Sequence, residues 1–552
     1  MKKNSSLQIL SVGIIAGGIS GFFLAGVSGA FSIIISNHYF LYKAYRLIAL
    51  KLQSSFLKWL LFTLLTSLLV SVVVYFLKRT GIIKWAFERK KITKKNRIIS
   101  MISSVIIIFL LFMNTLVFLI VGGGNKKGPN VIVIVIDALR EDSLGINGYL
   151  RDTSPNIDEF AGNSVAFKNA YTSSSWTKPS VASLFSALHP VSHNTLGIKL
   201  KLPEELNTLA EVLKNDGYRT FFLGGGNPFI GSKFNFDQGF DHYFNKKSNA
   251  AGLSSRFSKL LPELKKGKFF AYLHYMDVHL PYNKNKFNYI FSSRRGNYKF
   301  IPGEIKRRGV RELNRKGELT ENDKVELKVL YDGQIRYVDK HIGKLLEMLK
   351  SESLLKNTLV IITSDHGEEF WDHGGFEHGH SLYNELIRIP LIIGGNGLKS
   401  LIKEKSVSII DVFPTILDVV KIPSTIFDFD GLSFEKLLFR SEEGIDHPVF
   451  ATGIMYGNNK YCLIRNKKKI ICNSIEKNKV HELKNWKNKS YEYYNISSDP
   501  GETKNLFSAG KIEIKKMVKL INKFILLNQA FQKTRGLIDK DMQERLKTLG
   551  YL

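Results

Sequence analysis

Two aspartates stand at the ends of apolar runs. Val131 to Ile136 is an unbroken β-branched run that ends at Asp137, and Thr358 to Thr363 reads as another buried strand that ends at Ser364-Asp365-His366-Gly367. A carboxylate at the end of a buried strand is costly unless it binds a cation or caps a helix, and either reading serves each aspartate alone. Taken together and followed by His366, the two offer hard oxygen and imidazole donors suited to one divalent ion, zinc, manganese, magnesium or calcium. A hydroxyl completes the chemistry. In Ser173-Ser-Ser-Trp-Thr-Lys-Pro-Ser180, Thr177 and Pro179 stand where the apolar helical run Val181 to Leu188 would begin. Thr177 is then either an N-cap or a nucleophile at the positive end of a helix, where backbone N–H groups and a metal would stabilise an alkoxide. Of 13 histidines, five fall in two places at or beyond strand ends: His274 and His279, then His373, His378 and His380. A lone histidine carries little weight, but this grouping suits proton donors, oxyanion contacts or ligands.

The elements that must position these residues follow from hydrophobic patterning. The runs ending at Asp137 and Asp365 are continuous, as in strands buried on both faces, and such sheets place chemistry at the carboxyl ends of their strands. Tyr218 to Leu223 and Phe269 to Tyr275 read as further strands, with Leu206 to Asp216 and Val325 to Leu349 as helices. The alternation predicts an α/β domain over 130–445 with a mostly parallel sheet between helices. From 446 to 552 the segments become shorter and more polar, and a small antiparallel sheet is expected. The only two cysteines, Cys462 and Cys472, flank Lys467 symmetrically in a strand-turn-strand pattern, so a disulfide between them is expected.

Before this domain lie three apolar stretches near 7–36, 56–77 and 98–121, each long enough for a membrane span, and then a Gly and Lys-rich linker over 122–129. The first is too long for a cleaved signal core and is followed by further spans. The loop from Lys78 to Arg97 is strongly basic and is therefore expected in the cytoplasm. Three crossings then place the large domain outside the cell membrane. The chain carries 79 Lys and Arg against 49 Asp and Glu, a net charge of +30. In a soluble protein this would suggest nucleic acid, but an extracytoplasmic domain meets none in normal use. Membrane lipids are the expected partners of the basic loop, and an anionic lipid headgroup or polysaccharide is the expected substrate class. The sequence leaves the oligomeric state open.

Several segments, in order, resemble the signature blocks of the sulfatase family in the alkaline phosphatase superfamily: Asn130 to Arg140, Thr153 to Asp158, Trp176-Thr-Lys-Pro-Ser180, Gly217 to Thr220, Ser364 to Glu368, Ile409 to Thr415 and Tyr494 to Leu506. The resemblance implies a mixed sheet between helices, a divalent cation and a covalent intermediate at a helix N-terminus. It matches Asp137, Asp365 and His366 to metal ligands, Thr177 to the nucleophile position and His279 to a substrate-contacting histidine, and one cation is then expected between Asp137, Thr177, Asp365 and His366. His378 and His380 both sit around the family's late Lys or His. Lys178, His274 and Asn227 are the substrate-binding candidates, Asn227 falling where the family has a Lys-x-His contact.

The departures bear on the activity. The sulfatase pattern Cys-x-Pro-x-Arg, whose Cys or Ser becomes formylglycine, is Thr177-Lys-Pro-Ser-Val181 here, and a second acidic ligand is replaced by Ala138. A Thr nucleophile is similar to the membrane-anchored phosphoethanolamine and phosphoglycerol transferases. The expectation is an enzyme that cleaves or transfers a phosphate-type ester through Thr177. The alternatives are a sulfuric ester hydrolase and, in another class, a silent protein that binds anionic glycans or lipids.

Overall fold

The computed structural model describes residues 128–293, 298–439, 447–474, 489–508 and 510–533. The three apolar stretches and linker residues 122–127 lie outside them, and no described helix is long and apolar enough to cross a membrane.

Ten strands and two-residue pairs span the catalytic part: β1 (Asn130–Ile136), β2 (Val165–Tyr171), β3 (Arg219–Gly224), β4 (His242–Asn245), β5 (Phe269–Tyr275), β6 (Thr358–Thr363), a hairpin of β7 (Glu369–Phe370) with β8 (Phe376–Glu377), β9 (Leu391–Gly395) and β10 (Leu401–Ser408). All but the hairpin form one sheet in the order β10-β2-β9-β6-β1-β5-β3-β4. Every pairing is parallel except those of β9, which runs against both β6 and β2.

The continuous β-branched run of β1 has its physical reason in two cores. Val131, Val133 and Val135 point into one and Ile132, Ile134 and Ile136 into the other, because successive side chains alternate across a strand. Helices α1 (Pro155–Ala161), α2 (Thr177–Ser186), α3 (Leu209–Asn215), α4 (Ala250–Lys259), α5 (Arg307–Lys316), α6 (Glu321–Ser351) and α7 (Val412–Val419) cover the sheet. α2, α3 and α7 pack on the valine face, and α1, α4, α5 and α6 on the isoleucine face. Two boundaries shift from expectation for one reason, capping. Thr208 and Glu211 form a capping box that starts α3 late, and Thr320 with Asp323 forms one that starts α6 early.

A second sheet is antiparallel throughout: β11 (Val449–Thr452), β12 (Lys460–Arg465), β13 (Lys468–Ser474) and β14 (Lys489–Asn495). Its hairpin corrects the expected disulfide. Cys462 pairs with Ile471 and Cys472 with Tyr461, so the turn is centred half a residue before Lys467 and the two cysteines are not opposite. They occupy opposite faces, Cys472 packing with α8 (Ile512–Lys533) and Cys462 with Leu386 and Tyr171, and no disulfide joins them.

The segment Asp499 to Leu506 fastens this sheet to the catalytic part. Lys469 Nζ lies 2.7 Å from Glu502 Oε1 and 3.0 Å from Asn384 Oδ1, while Asn384 N donates to Glu502 Oε2 at 2.6 Å. Lys469 and Glu502 side chains are wholly buried.

Candidate active site

Four adjacent strands, β6, β1, β5 and β3, each deliver one polar group near their carboxyl ends: Asp365, Asp137, His274 and Asn227. After Asp137 the chain turns sharply, with Ala138 at φ +62°. That turn is held from three sides: Ala138 N donates to Asp365 Oδ1 at 3.3 Å, Leu139 N to Ser364 Oγ at 3.0 Å, and Tyr331 OH of α6 to Ala138 O at 2.8 Å.

Thr177 is the first helical residue of α2, and its side chain caps nothing; Trp176 stands at the N-cap without a side-chain bond. Its Oγ1 lies 3.4 Å from Asp137 Oδ2, 3.4 Å from His366 Nε2 and 3.2 Å from Asn227 Nδ2. Ser180, one turn on, donates to the Asp365 carbonyl at 2.6 Å and so ties this helix end to the loop after β6.

The donor set fits a cation on two observations. Oδ1 of Asp137 and Oδ2 of Asp365 are buried with no hydrogen-bond partner, and they lie 3.4 Å and 3.6 Å from His366 Nε2. His366 Nδ1 contacts the Gly367 carbonyl at 2.8 Å, which places the proton on Nδ1 and leaves the Nε2 lone pair facing the carboxylates. Asp137, His274 and Asp365 also bring ligand atoms within 4.8 Å of one another. Electrostatics tells the same story. Burial and the neighbouring Asp137 charge push Asp365 up to about 8. Burial also opposes ionisation of Asp137, yet His279, the His274 hydrogen bond and His366 hold its carboxyl well below the usual range.

The sequence candidates separate here. Asp137, Asp365, His366, Thr177 and Asn227 come together. His274, a candidate for substrate contact, instead sits 3.0 Å from Asp137 Oδ2 with Nε2 and 2.8 Å from Tyr272 OH with Nδ1, within the carboxylate cluster. Thr177, Asn227, His279 and His378 line a cavity of about 240 Å³. His279 Nδ1 is engaged by Leu280 O at 2.5 Å, and burial, with Arg307 and His366 nearby, pushes this ring down to about 4 despite Asp137. The His378 ring lies 4.3 Å from that of His366 and 4.9 Å from that of His279. Burial and these histidines lower it well below the ordinary value, and its Nδ1 meets Glu368 Oε1 at 2.8 Å.

Two candidates are not brought to the cavity. His380 Nε2 pairs with Glu369 Oε2 at 2.7 Å on the β7–β8 hairpin. Lys178 turns the other way, its Nζ meeting the carbonyls of Ile198 at 2.5 Å and Leu200 at 3.2 Å and lying 3.4 Å from the centre of the Phe234 ring. It fastens a loop rather than facing the cavity.

Sequence reasoning missed Arg307 and the apolar wall of Trp176, Phe229, Met276 and Met455. Trp176 lay in a quoted motif, but no pattern marks Arg307 within Lys306-Arg-Arg308.

The family model described as Sulfatase matches residues 129–422. The arylsulfatase of Clostridium perfringens is 22% identical over 470 residues, covering 72% of this chain and 94% of that protein. Arylsulfatase K of Bos taurus is 28% identical over 199 residues, and the match spans only 35% of its length and 34% of this chain. Among solved structures, the phosphonate monoester hydrolase of Agrobacterium radiobacter aligns with a TM-score of 0.58 at 18% identity, over 74% of this chain and 96% of that one. A 2-O GAG sulfatase aligns with a TM-score of 0.56 at 21% identity, over 74% and 94%. With a family match over more than half its length, the chain belongs to the sulfatase family, whose members are metal-dependent hydrolases of the alkaline phosphatase superfamily.

Proposed function

We propose that this chain is an extracytoplasmic, membrane-anchored hydrolase of phosphate-type esters that uses Thr177 as its nucleophile. The observation that supports it most is the placement of the Thr177 hydroxyl. Oγ1 is engaged by Asp137, His366 and Asn227 rather than by a helix cap. Its β carbon carries a methyl group, so it cannot be oxidised to the aldehyde of formylglycine. The residue must react as an alcohol.

Asp137, Asp365, His366 and Thr177 would hold one divalent ion, with His274 fixing the Asp137 carboxylate. When bound, that ion would act as a Lewis acid and lower the cost of deprotonating Thr177. In the reaction, Thr177 Oγ1 forms a bond to phosphorus, the ester P–O bond breaks, and the leaving alkoxide takes a proton. Water then attacks phosphorus and returns Thr177 as the free alcohol. Asn227 orients Oγ1 through Nδ2, and the α2 N-terminus adds favourable dipole for the bound oxyanion. His279 is neutral in the free site. A bound anion would raise its affinity for a proton, which fits it for protonating the leaving group. Water as acceptor is favoured over an alcohol because the relatives named above are an arylsulfatase and a phosphonate monoester hydrolase.

The decisive experiment assays the purified full chain against an aryl sulfate, a phosphate monoester and a phosphodiester with added Mn, Mg, Ca or Zn. Phosphodiester or monoester turnover with added mass on the Thr177 peptide supports the reading, and activity on aryl sulfate alone replaces it with a sulfuric ester hydrolase. The membrane placement rests on the apolar stretches and the basic loop Lys78 to Arg97. Protease added to intact spheroplasts should release a fragment beginning near Gly122 to Lys127, and protection of that linker until lysis would sink the topology.

A further inference from the structure

The cavity beside Thr177 has two chemically different parts. Thr177, Asn227, His279 and His378 surround the place where the reacting anion would sit. The rest is apolar, with Trp176 and Phe229 in an edge-to-face pair at 5.6 Å and Met276 and Met455 beside them. One permanently charged side chain lines this space among the described residues, Arg307 from the first turn of α5. Its Nη2 lies 3.3 Å from Nε2 of His378, whose ring packs 4.3 Å from that of His366. Arg307 is thus joined to His366 of the carboxylate cluster through one imidazole.

The guanidinium is prepositioned. Nε and Nη2 each lie 2.8 Å from Oε2 of Glu377, a carboxylate only 1% exposed, while the Arg307 side chain itself is 26% exposed. Arg311 contacts the same Glu377 oxygen. Two guanidinium groups on one carboxylate leave a net positive charge, and with Nε and Nη2 engaged by Glu377 and His378 the fork presents Nη1 to an incoming anion. Lys178 cannot serve this purpose, since its ammonium is held by backbone carbonyls away from the cavity.

We infer that Arg307 is a specificity-determining residue that binds an anionic group on the leaving alcohol. The preferred substrate is therefore an ester of an alcohol with an apolar body and its own negative charge. This rests on the ester-cleaving reading of the site. A structural role for Arg307, holding Glu377 alone, predicts no dependence on leaving-group charge.

The test compares two isosteric phosphodiesters, 4-carboxyphenyl methyl phosphate and 4-carbamoylphenyl methyl phosphate, on the full chain in detergent. It also compares binding of the free products 4-hydroxybenzoate and 4-hydroxybenzamide by calorimetry, which needs no turnover. The carboxylate member should be preferred about tenfold or more in both kcat/KM and Kd. Arg307→Gln should bring both ratios close to one, Arg307→Lys should keep part of them, and Arg311→Gln, which removes the second charge on Glu377 but leaves Arg307 in place, should lower them less than Arg307→Gln. Equal or undetectable binding of the two products by the wild type, or ratios that survive Arg307→Gln, overturns the inference. If product discrimination behaves as stated while neither ester is hydrolysed, the proposed reaction falls and the binding assignment stands.

Discussion

Nδ2 of Asn227 stands 2.8 Å from Oδ2 of Asp137. The same nitrogen reaches Thr177 Oγ1 at 3.2 Å, and the amide oxygen is committed to Phe229 N at 2.9 Å, so the amide can face only one way. One side chain thus holds nucleophile and carboxylate in register. Asn227→Ala should lower kcat by about 10- to 100-fold, with KM and thermal midpoint changed far less, because orientation and not binding is lost. Steady-state kinetics beside a melting curve checks this. A kcat equal to wild type means the amide positions nothing.

Thr177→Ala should abolish turnover and leave the fold intact, since Oγ1 makes no cap bond and Ser180 still ties the start of α2 to the Asp365 carbonyl. Thr177→Ser keeps the attacking oxygen and should retain measurable activity. The check is a quenched reaction analysed by mass spectrometry, where the adduct should vanish in the alanine variant and persist in the serine one. Wild-type turnover by Thr177→Ala would make a water molecule the nucleophile.

A resident cation should be visible as stability. Two buried carboxylate oxygens without partners face one imidazole lone pair, so filling that site removes a repulsion as well as adding bonds. At a free metal concentration about 100 times Kd, binding should add about 2.7 kcal/mol of stability. Removal of metal with a chelator should lower the melting midpoint of the wild type, and His366→Gln should melt at the same temperature with or without chelator. A chelator-insensitive wild type argues for a site that carries no ion.

The parts of this architecture that were legible in the sequence are those where one physical demand acts alone. The strands before Asp137 and Asp365 are buried on both faces, and nothing but an unbroken apolar run satisfies that. Side-chain direction was less legible. Adjacent residues on a helix point about 100° apart, so once Thr177 faces the carboxylates Lys178 must face elsewhere, which a motif read as a string does not reveal. Gly379, at φ +82°, redirects the chain between His378 and His380 and sends them to different partners. The cysteine pairing failed on half a residue of register, which decides the face of every side chain in a hairpin. Arg307 reaches the cavity from a long connection after β5, where no periodicity links it to the site.

The junction between the two sheets rests on a buried ion pair. Lys469 and Glu502 are both fully buried at 2.7 Å, with Asn384 satisfying each of them. Lys469→Met leaves the Glu502 carboxylate without its cation and should destabilise the protein by about 3–5 kcal/mol. Lys469→Met with Glu502→Gln should recover part of that loss, because the orphaned charge is gone. Thermal denaturation of the two variants measures it, and an additive double variant means the pair is not coupled.

His373 should make the fold sensitive to alkaline pH through its pairing with Glu385. Its Nδ1 lies 2.8 Å from Glu385 Oε1, its Nε2 lies 3.3 Å from Glu502 O, and its ring stacks on Tyr383 at 3.7 Å. Both ring nitrogens face acceptors, which suits an imidazolium. Burial works against the charge, but the Glu385 hydrogen bond and charge, helped by Glu502, push this histidine up to about 9. A group whose proton is held more tightly in the folded state contributes fully below its unfolded value of about 6.5 and loses the contribution as pH rises through about 9. After allowance for solvent screening, the loss across that window should be about 1 kcal/mol. His373→Gln keeps a donor for Glu385 but cannot titrate. It should be less stable than wild type at pH 6 and should converge with it above pH 9. Melting midpoints of both proteins from pH 6 to 10 provide the measurement, and a constant difference across that range would mean that His373 is not held protonated by Glu385.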